Sequence, residues 1–262
     1  MFYEPNEIDI SEKYLERVFR QIKDRACLLG GWATYHLVNK NFEKANGRKY
    51  IGSRDIDIGF HIDKSWSKEQ LKKSGFSTAI GLIEDMNFRS VSFRFLKDFD
   101  LETKRELKPE ESAKLPIYQI FQLYVDPIVD YIHPKIRDIL GFVPIDEPLL
   151  SLVFADRIYT VTNLFGTSIL LPKPQVLLAM KLNSVPNRDK EHKRIKDIAD
   201  IYALLWFSDI KIAQLKIDLL SIYPEEKARK TVRDFKEKEI EKVSGAIGIS
   251  AYEITRVLTE LR

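Results

Sequence analysis

The sequence predicts a mixed α/β (α+β) fold, a mixed β-sheet flanked by helices and followed by a C-terminal helical domain. Three observations predict it. Ile56 and Ile58 alternate with Asp55 and Asp57, the period-two pattern of a strand with one buried face. Tyr118–Val125 is dense in aromatic and β-branched residues, which favour strands. From Leu149 onward apolar residues recur at helical spacing instead. The change of character divides the chain near residue 145, into an α/β domain over 1–145 and a helical domain over 146–262.

The elements follow in order. Tyr14, Val18 and Ile22 recur at helical spacing and predict an amphipathic helix over Ile10–Arg25, with Ser11 available as its cap. Cys27-Leu28-Leu29 reads as a short buried strand ending at Gly30-Gly31. Trp32–Val38 reads as a second helix, followed by a polar loop over Asn39–Lys49 and then the strand carrying Asp55 and Asp57. Ser67 with Gln70 makes a capping box for a further helix. Val91, Phe93 and Phe95 alternate as in a strand, and charged Asp98–Lys114 reads as a solvated connection. The strand-rich portion is expected to end near Pro144. Beyond it, Leu149–Arg157, Gln175–Leu182, Asp189–Trp206 and the tail from Pro224 read as helices, with Pro174 in the first turn of one.

Composition excludes several classes. Of 262 residues, 44% are hydrophobic and 31% charged, which fits a globular protein, and no run is apolar for the length of a membrane span. The amino terminus, Met1-Phe2-Tyr3-Glu4-Pro5, lacks the basic and apolar succession of a secretory signal. Cys27 is the single cysteine, so no intramolecular disulfide forms and a reducing cytoplasm is expected. A net charge of +3 is too small to argue for nucleic acid by itself.

One constellation carries chemistry. Gly30-Gly31 is the adjacent glycine pair at the head of a helix-like run, where a backbone without Cβ atoms lets an anion approach free amides and the positive end of the helix dipole. Asp55 and Asp57 leave their strand on one face, a spacing that lets two carboxylates hold one or two Mg²⁺ ions. That pairing suits phosphoryl or nucleotidyl transfer. Ser53 precedes the acids and offers a hydroxyl to a phosphate oxygen, whereas the direction of Arg54 is open. His36, His61, His133 and His192 lack zinc spacing, so oxygen-bound magnesium is the expected metal.

The ordered set of apolar strand, Gly-Gly, helix, Gly52-Ser53 and Asp55-Ile56-Asp57 resembles the nucleotidyltransferase superfamily whose best-known member is DNA polymerase beta. The resemblance implies that Gly30, Gly31 and Ser53 bind a nucleoside triphosphate and that Asp55 and Asp57 bind Mg²⁺. The gap of 24 positions between Gly31 and Asp55 exceeds that of compact members and suggests an inserted loop over Asn39–Lys49. The superfamily adds a third carboxylate from a neighbouring strand, which binds metal or accepts the proton of the attacking hydroxyl; Asp126 is the first choice, with Pro127 ending its strand, and Asp130 the alternative. Downstream, Leu171-Pro172-Lys173-Pro174, Leu177–Leu182, Arg188 and Lys196–Tyr202 are similar to AbiEii-type nucleotidyltransferases, toxins of type IV toxin–antitoxin systems, and to related archaeal proteins. This implies that Lys181, binding a nucleotide phosphate, and an aspartate, Asp197 with Asp200 close behind, complete the active site from the helical domain. It also implies transfer to an RNA or tRNA acceptor and neutralisation by a cognate antitoxin. Small-molecule or protein nucleotidylylation, and a catalytically silent nucleotide- or partner-binding module, are the alternatives.

Overall fold

The computed structural model describes residues 3–22 and 25–262. Lys23 and Asp24 of the first expected helix, and Met1 and Phe2 of the terminus read for a signal, lie outside the described residues. The chain forms two compact units, one combining Tyr3–Trp32 with Gly52–Leu171, the other combining Ala33–Ile51 with Pro172–Arg262.

The first unit carries the sheet. Helix α1 (Pro5–Gln21) starts with a proline in its first turn and a Glu7 carboxylate that accepts the Glu4 backbone N–H at 3.1 Å. Its apolar stripe, Ile10, Tyr14, Leu15, Val18 and Phe19, is buried. Strand β1 (Cys27–Leu28) leads into helix α2 (Gly30–Asn46), whose first turn belongs to this unit. Next come β2 (Ile56–Phe60), α3 (Lys68–Lys72), α4 (Gly75–Asp85), β3 (Arg89–Val91), β4 (Arg94–Asp100), β5 (Glu106–Leu107), α5 (Pro109–Ser112) and β6 (Ile120–Val129). The unit closes with α6 (Ile136–Leu140), β7 (Ile145–Asp146), α7 (Ser151–Phe154), β8 (Tyr159–Leu164) and β9 (Thr167–Pro172). The capping box at α3 forms as the residue types predict: Gln70 N–H donates to Ser67 Oγ at 3.2 Å, and Ser67 N–H to Gln70 Oε1 at 2.8 Å.

These strands make one nine-stranded mixed sheet in the order β3-β4-β6-β2-β1-β9-β8, with β5 on β4 and β7 on β6. Strand β2 pairs parallel with β6 and antiparallel with β1, so Asp57 stands in the sheet interior rather than at an edge. Ile56, Ile58 and Phe60 are buried on the face opposite Asp57.

The structure corrects several boundaries in this unit. Pro127 does not end β6; it pairs with Ile58 and the strand runs to Val129. It falls between β4, whose first residue is Arg94, and β7, which joins β6 at Ile128, so the missing N–H is tolerated as at an edge. Val91, Phe93 and Phe95 do not share one strand, because Ser92 takes a positive φ of 59° and turns β3 into β4. Asp98 is no part of a solvated connection: it is buried within β4 and held by Arg89 at 2.6 Å. The helix expected over Leu149–Arg157 shrinks to α7, as the chain turns at Arg157 with φ 56°. Strands continue past Pro144 through β7 to the β8–β9 hairpin, closed by Phe165 and Gly166, both at positive φ.

The second unit is helical. The expected loop over Asn39–Lys49 is mostly helix, since α2 runs to Asn46 and stops at Gly47 (φ 67°), whose N–H donates to Glu43 O at 2.8 Å. Phe42 explains the extension: one turn beyond Val38, it is buried against Phe207 and Tyr50, with ring centroids 5.0 and 5.1 Å away. Helix α8 (Pro174–Ser184) has Pro174 in its first turn, as expected, and precedes α9 (Glu191–Phe207), the central helix. Then follow α10 (Ile212–Leu220), α11 (Glu225–Arg233), α12 (Glu237–Ile247) and α13 (Ala251–Leu258). The tail packs on α9: Ile240, Val243, Ile254 and Val257 are buried, and Arg194 Nε donates to Glu239 at 2.6 Å.

Candidate functional site

Pairing places the acids of the first unit. Asp57 and Asp126 are direct partners in the parallel β2–β6 ladder, so their side chains leave the same face of the sheet side by side. Asp55, expected within the strand, sits in the bend just before β2, two residues ahead of Asp57, where its Oδ2 lies 3.9 Å from the Arg94 guanidinium. Asp130, the alternative third acid, is engaged elsewhere: it accepts the Ile62 N–H at 2.9 Å and meets His61 Nδ1 at 2.5 Å.

An arginine stands among these carboxylates. Antiparallel pairing of β4 with β6 carries the start of β4 alongside Val125 and Asp126. Arg94 Nε donates to Asp126 Oδ1 at 2.8 Å, a second guanidinium nitrogen donates to Asp126 Oδ2, and that nitrogen lies 3.9 Å from Asp55 Oδ2. The planar fork meets the carboxylate in the bidentate manner of strong ion pairs. Its carbon lies 4.1 Å from the Tyr124 ring centroid and 5.3 Å from that of Phe93. Burial works against the charged guanidinium, but the Asp126 hydrogen bonds and the charges of Asp126, Asp55 and Asp57 outweigh it, so its pKa is raised.

Gly30 abuts the second acid. It adopts a left-handed φ of 63° at the head of α2, and a Cβ there would stand 1.7 Å from Asp57 Oδ2. The Leu29 N–H donates to Asp57 O at 3.0 Å, tying the turn to β2. The positive end of the α2 dipole therefore lies at the Asp57 carboxylate. Gly31 and Ser53 are buried, Ser53 in the loop before β2. Arg54 points away from the acids' work: it pairs with Glu7 at 3.0 Å and lies 5.3 Å from the Phe121 ring centroid.

The residues expected from the helical region form their own cluster within the second unit. Lys181 Nζ lies 2.6 Å from Asp197 Oδ1 and 2.7 Å from Asp200 Oδ2, so both candidate aspartates share one ammonium. Asp197 also receives Arg188 Nε at 2.6 Å. Asp200 also receives Lys196 Nζ at 2.5 Å and Tyr50 OH at 2.9 Å. Asp197 and Asp200 are 2% and 0% exposed, so this is a buried network. Burial opposes the Lys181 charge, yet the two carboxylates outweigh burial and raise its pKa. For Lys196 burial wins and the pKa is lowered. Burial likewise opposes the Asp197 carboxylate, but Lys181 and Arg188 overcome it and lower its pKa.

Sequence reasoning missed Arg94 and Tyr50. Lys196 was legible as an ion-pair partner, four residues before Asp200 on one helix. Arg94 and Tyr50 lie far along the chain from their partners, and no local pattern marks them.

Magnesium takes few protein carboxylates, completing its shell with water and substrate phosphate. Asp55 and Asp57, two residues apart with Gly30 against Asp57, offer oxygen donors of the kind that demand calls for. A closed protein cage is another matter: among the described residues no group of three or more His, Cys, Asp or Glu is arranged to hold a metal ion. Both oxygens of Asp126 are taken by Arg94. Among the described residues, no helix is long and apolar enough to cross a membrane.

No family model and no curated protein matches the sequence. One solved structure is similar, described as the crystal structure of an antigenic nucleotidyltransferase-like protein from Paracoccidioides brasiliensis; the match covers 93% of this chain and 92% of that one, at 15% identity and a TM-score of 0.46.

Proposed function

We propose that the chain is a nucleotidyltransferase that moves a nucleoside monophosphate from a triphosphate to an acceptor hydroxyl. The observation that carries this reading is the direct pairing of Asp57 with Asp126, with Asp55 two residues before Asp57 and Gly30 against Asp57. In this reading Asp55, Asp57 and Asp126 hold Mg²⁺, and the metal supplies charge neutralisation of the triphosphate when bound. Gly30 and Gly31 offer backbone amides at the α2 N-terminus to phosphate oxygens, and Ser53 adds a hydroxyl. The acceptor oxygen bonds to the α-phosphorus, the bond to the β-phosphate breaks, and pyrophosphate leaves. Asp126 takes the acceptor proton. Positioning and electrostatics supply most of the acceleration in such chemistry.

Lys181, Asp197 and Asp200 enter this reading as positioning residues. The Lys181 ammonium already has two carboxylate partners, so triphosphate recognition rests on the glycines and Ser53. For the acceptor we propose an RNA end, tRNA included, in a toxin-like enzyme restrained by a cognate antitoxin.

The test incubates the protein with each α-labelled triphosphate and total cellular RNA, with and without Mg²⁺, and separates the products on a gel. Mg²⁺-dependent label on RNA that disappears in Asp57→Asn is expected; label retained by that variant overturns the assignment. Toxicity on expression in bacteria that Asp55→Ala relieves is the outcome expected of a toxin.

A second reading, a catalytically silent nucleotide-binding module, is favoured by the grip of Arg94 on Asp126. Calorimetric triphosphate binding without pyrophosphate release, across RNA, protein and small hydroxyl acceptors, is its signature.

A further inference from the structure

The acids of β2 and β6 already have a cation. Three neighbouring carboxylates repel one another, and Arg94 answers that charge with a fork on both oxygens of Asp126 and an approach of 3.9 Å to Asp55. The Asp126 side chain is only 6% exposed, so its charge needs a partner at all times. A divalent ion bound by Asp126 must use the same oxygens, and the two cations exclude each other there. Arg94 is also placed to move. It is the first residue of β4, directly after the tight turn at Ser92, and the neighbouring Val91 and Phe93 are 43% and 41% exposed. Its guanidinium carbon lies 4.1 Å from the Tyr124 ring centroid and 5.3 Å from that of Phe93, and its side chain is 19% exposed, so it is not sealed in the core.

We propose that Arg94 is a built-in competitor of the divalent cation, a gate that holds Asp126 and Asp55 while the site is metal-free and yields them when a metal-bound triphosphate arrives. On yielding, the guanidinium transfers to the triphosphate, whose oxygens match its fork as well as a carboxylate does. The gate explains how buried acids are kept compensated between turnovers, and it ties metal binding to substrate binding. A metal ion alone must displace Arg94 without giving it a new partner, whereas a metal–triphosphate complex supplies one. This inference rests on the reading of the site as a metal-dependent nucleotidyltransferase.

The test measures Mn²⁺ binding directly, by electron paramagnetic resonance of free Mn²⁺, in the intact chain and in Arg94→Gln, Arg94→Lys and the double variant Arg94→Gln/Asp126→Asn. Circular dichroism confirms that each is folded. Removing the competitor is expected to tighten Mn²⁺ binding without nucleotide at least tenfold in Arg94→Gln. The gain should vanish in the double variant, which no longer has the freed carboxylate. If Arg94→Gln does not fold, Arg94→Lys carries the test: it keeps the charge but loses the fork, and tighter Mn²⁺ binding than in the unaltered chain is again expected. With ATP present, and after subtracting the Mn²⁺ that ATP holds in protein-free controls, the unaltered chain should bind Mn²⁺ at least tenfold more tightly than without it, and Arg94→Gln should lose most of that coupling. Equal Mn²⁺ affinity in the folded Arg94 variants and the unaltered chain overturns the gate and leaves the nucleotidyltransferase reading standing. Absence of Mn²⁺ binding in every protein, with and without ATP, overturns that reading and the gate with it.

Discussion

Asp57 occupies the space that a side chain on Gly30 would need: its Oδ2 lies 1.7 Å from where a Cβ would be built. Gly30 also holds a left-handed φ, which costs other residues about 1–2 kcal/mol even without a clash. Gly30→Ala is therefore expected to lower stability by about 2 kcal/mol or more in urea denaturation, and to weaken triphosphate binding by moving Asp57. Gly81→Ala is the control. Gly81 lies within α4 with nothing near its missing Cβ, so alanine there should stabilise by roughly 0.5–1 kcal/mol.

Lys181 and Lys196 share Asp200, yet they respond differently to burial. Carboxylate attraction exceeds the burial cost at Lys181 and falls short of it at Lys196. Lys181→Met should thus cost about 3–5 kcal/mol, the usual loss on breaking a buried ion pair. Lys196→Met should cost clearly less. Equal shifts of the urea midpoint would contradict this ordering.

Tyr50 closes the same network through its hydroxyl on Asp200. Tyr50→Phe keeps the ring against Phe42 and removes one hydrogen bond to a buried carboxylate. The expected loss is about 1.5–3 kcal/mol, read from thermal or urea unfolding.

His36 sets an acid limit. Burial lowers its pKa from 6.5 to about 4, so between those values the unfolded chain binds the proton more readily than the folded one. Stability therefore rises with pH across that window, and about 3 kcal/mol is lost by the time pH falls to 4. Asp197 adds to the acid loss lower down: its pKa is depressed from 3.8, so its contribution is present above that value and disappears as pH falls through the folded one. Urea titrations from pH 7 to 4 should show a reduced slope in His36→Gln.

Much of this molecule was legible residue by residue. The capping box at Ser67 and Gln70, the proline at the head of α8 and the period-two strand of Ile56 and Ile58 depend on neighbours within a few positions, and the structure contains each of them. Readings that failed had their causes elsewhere. Phe42 extended α2 because Phe207 and Tyr50 cover it. Pro127 stayed within β6 because it falls between the start of β4 and the start of the β7 pairing. Val91 and Phe95 fall on separate strands, with Phe93 in the turn between them, because the chain turned at Ser92.

The candidate site divides along the same line. The sequence alone determined which groups were candidates: backbone geometry, which repeats every two or 3.6 residues whatever lies across the sheet, singled out the glycine pair, the two acids separated by one residue and the shared helix face of Asp197 and Asp200, whereas Lys181 came from a family resemblance. Only the tertiary structure decided that Asp126 stands opposite Asp57, that Arg94 closes on it from β4, and that Lys181 is saturated by both Asp197 and Asp200. Strand register and helix packing set those contacts by burying surfaces distant in the chain, and no local periodicity encodes them.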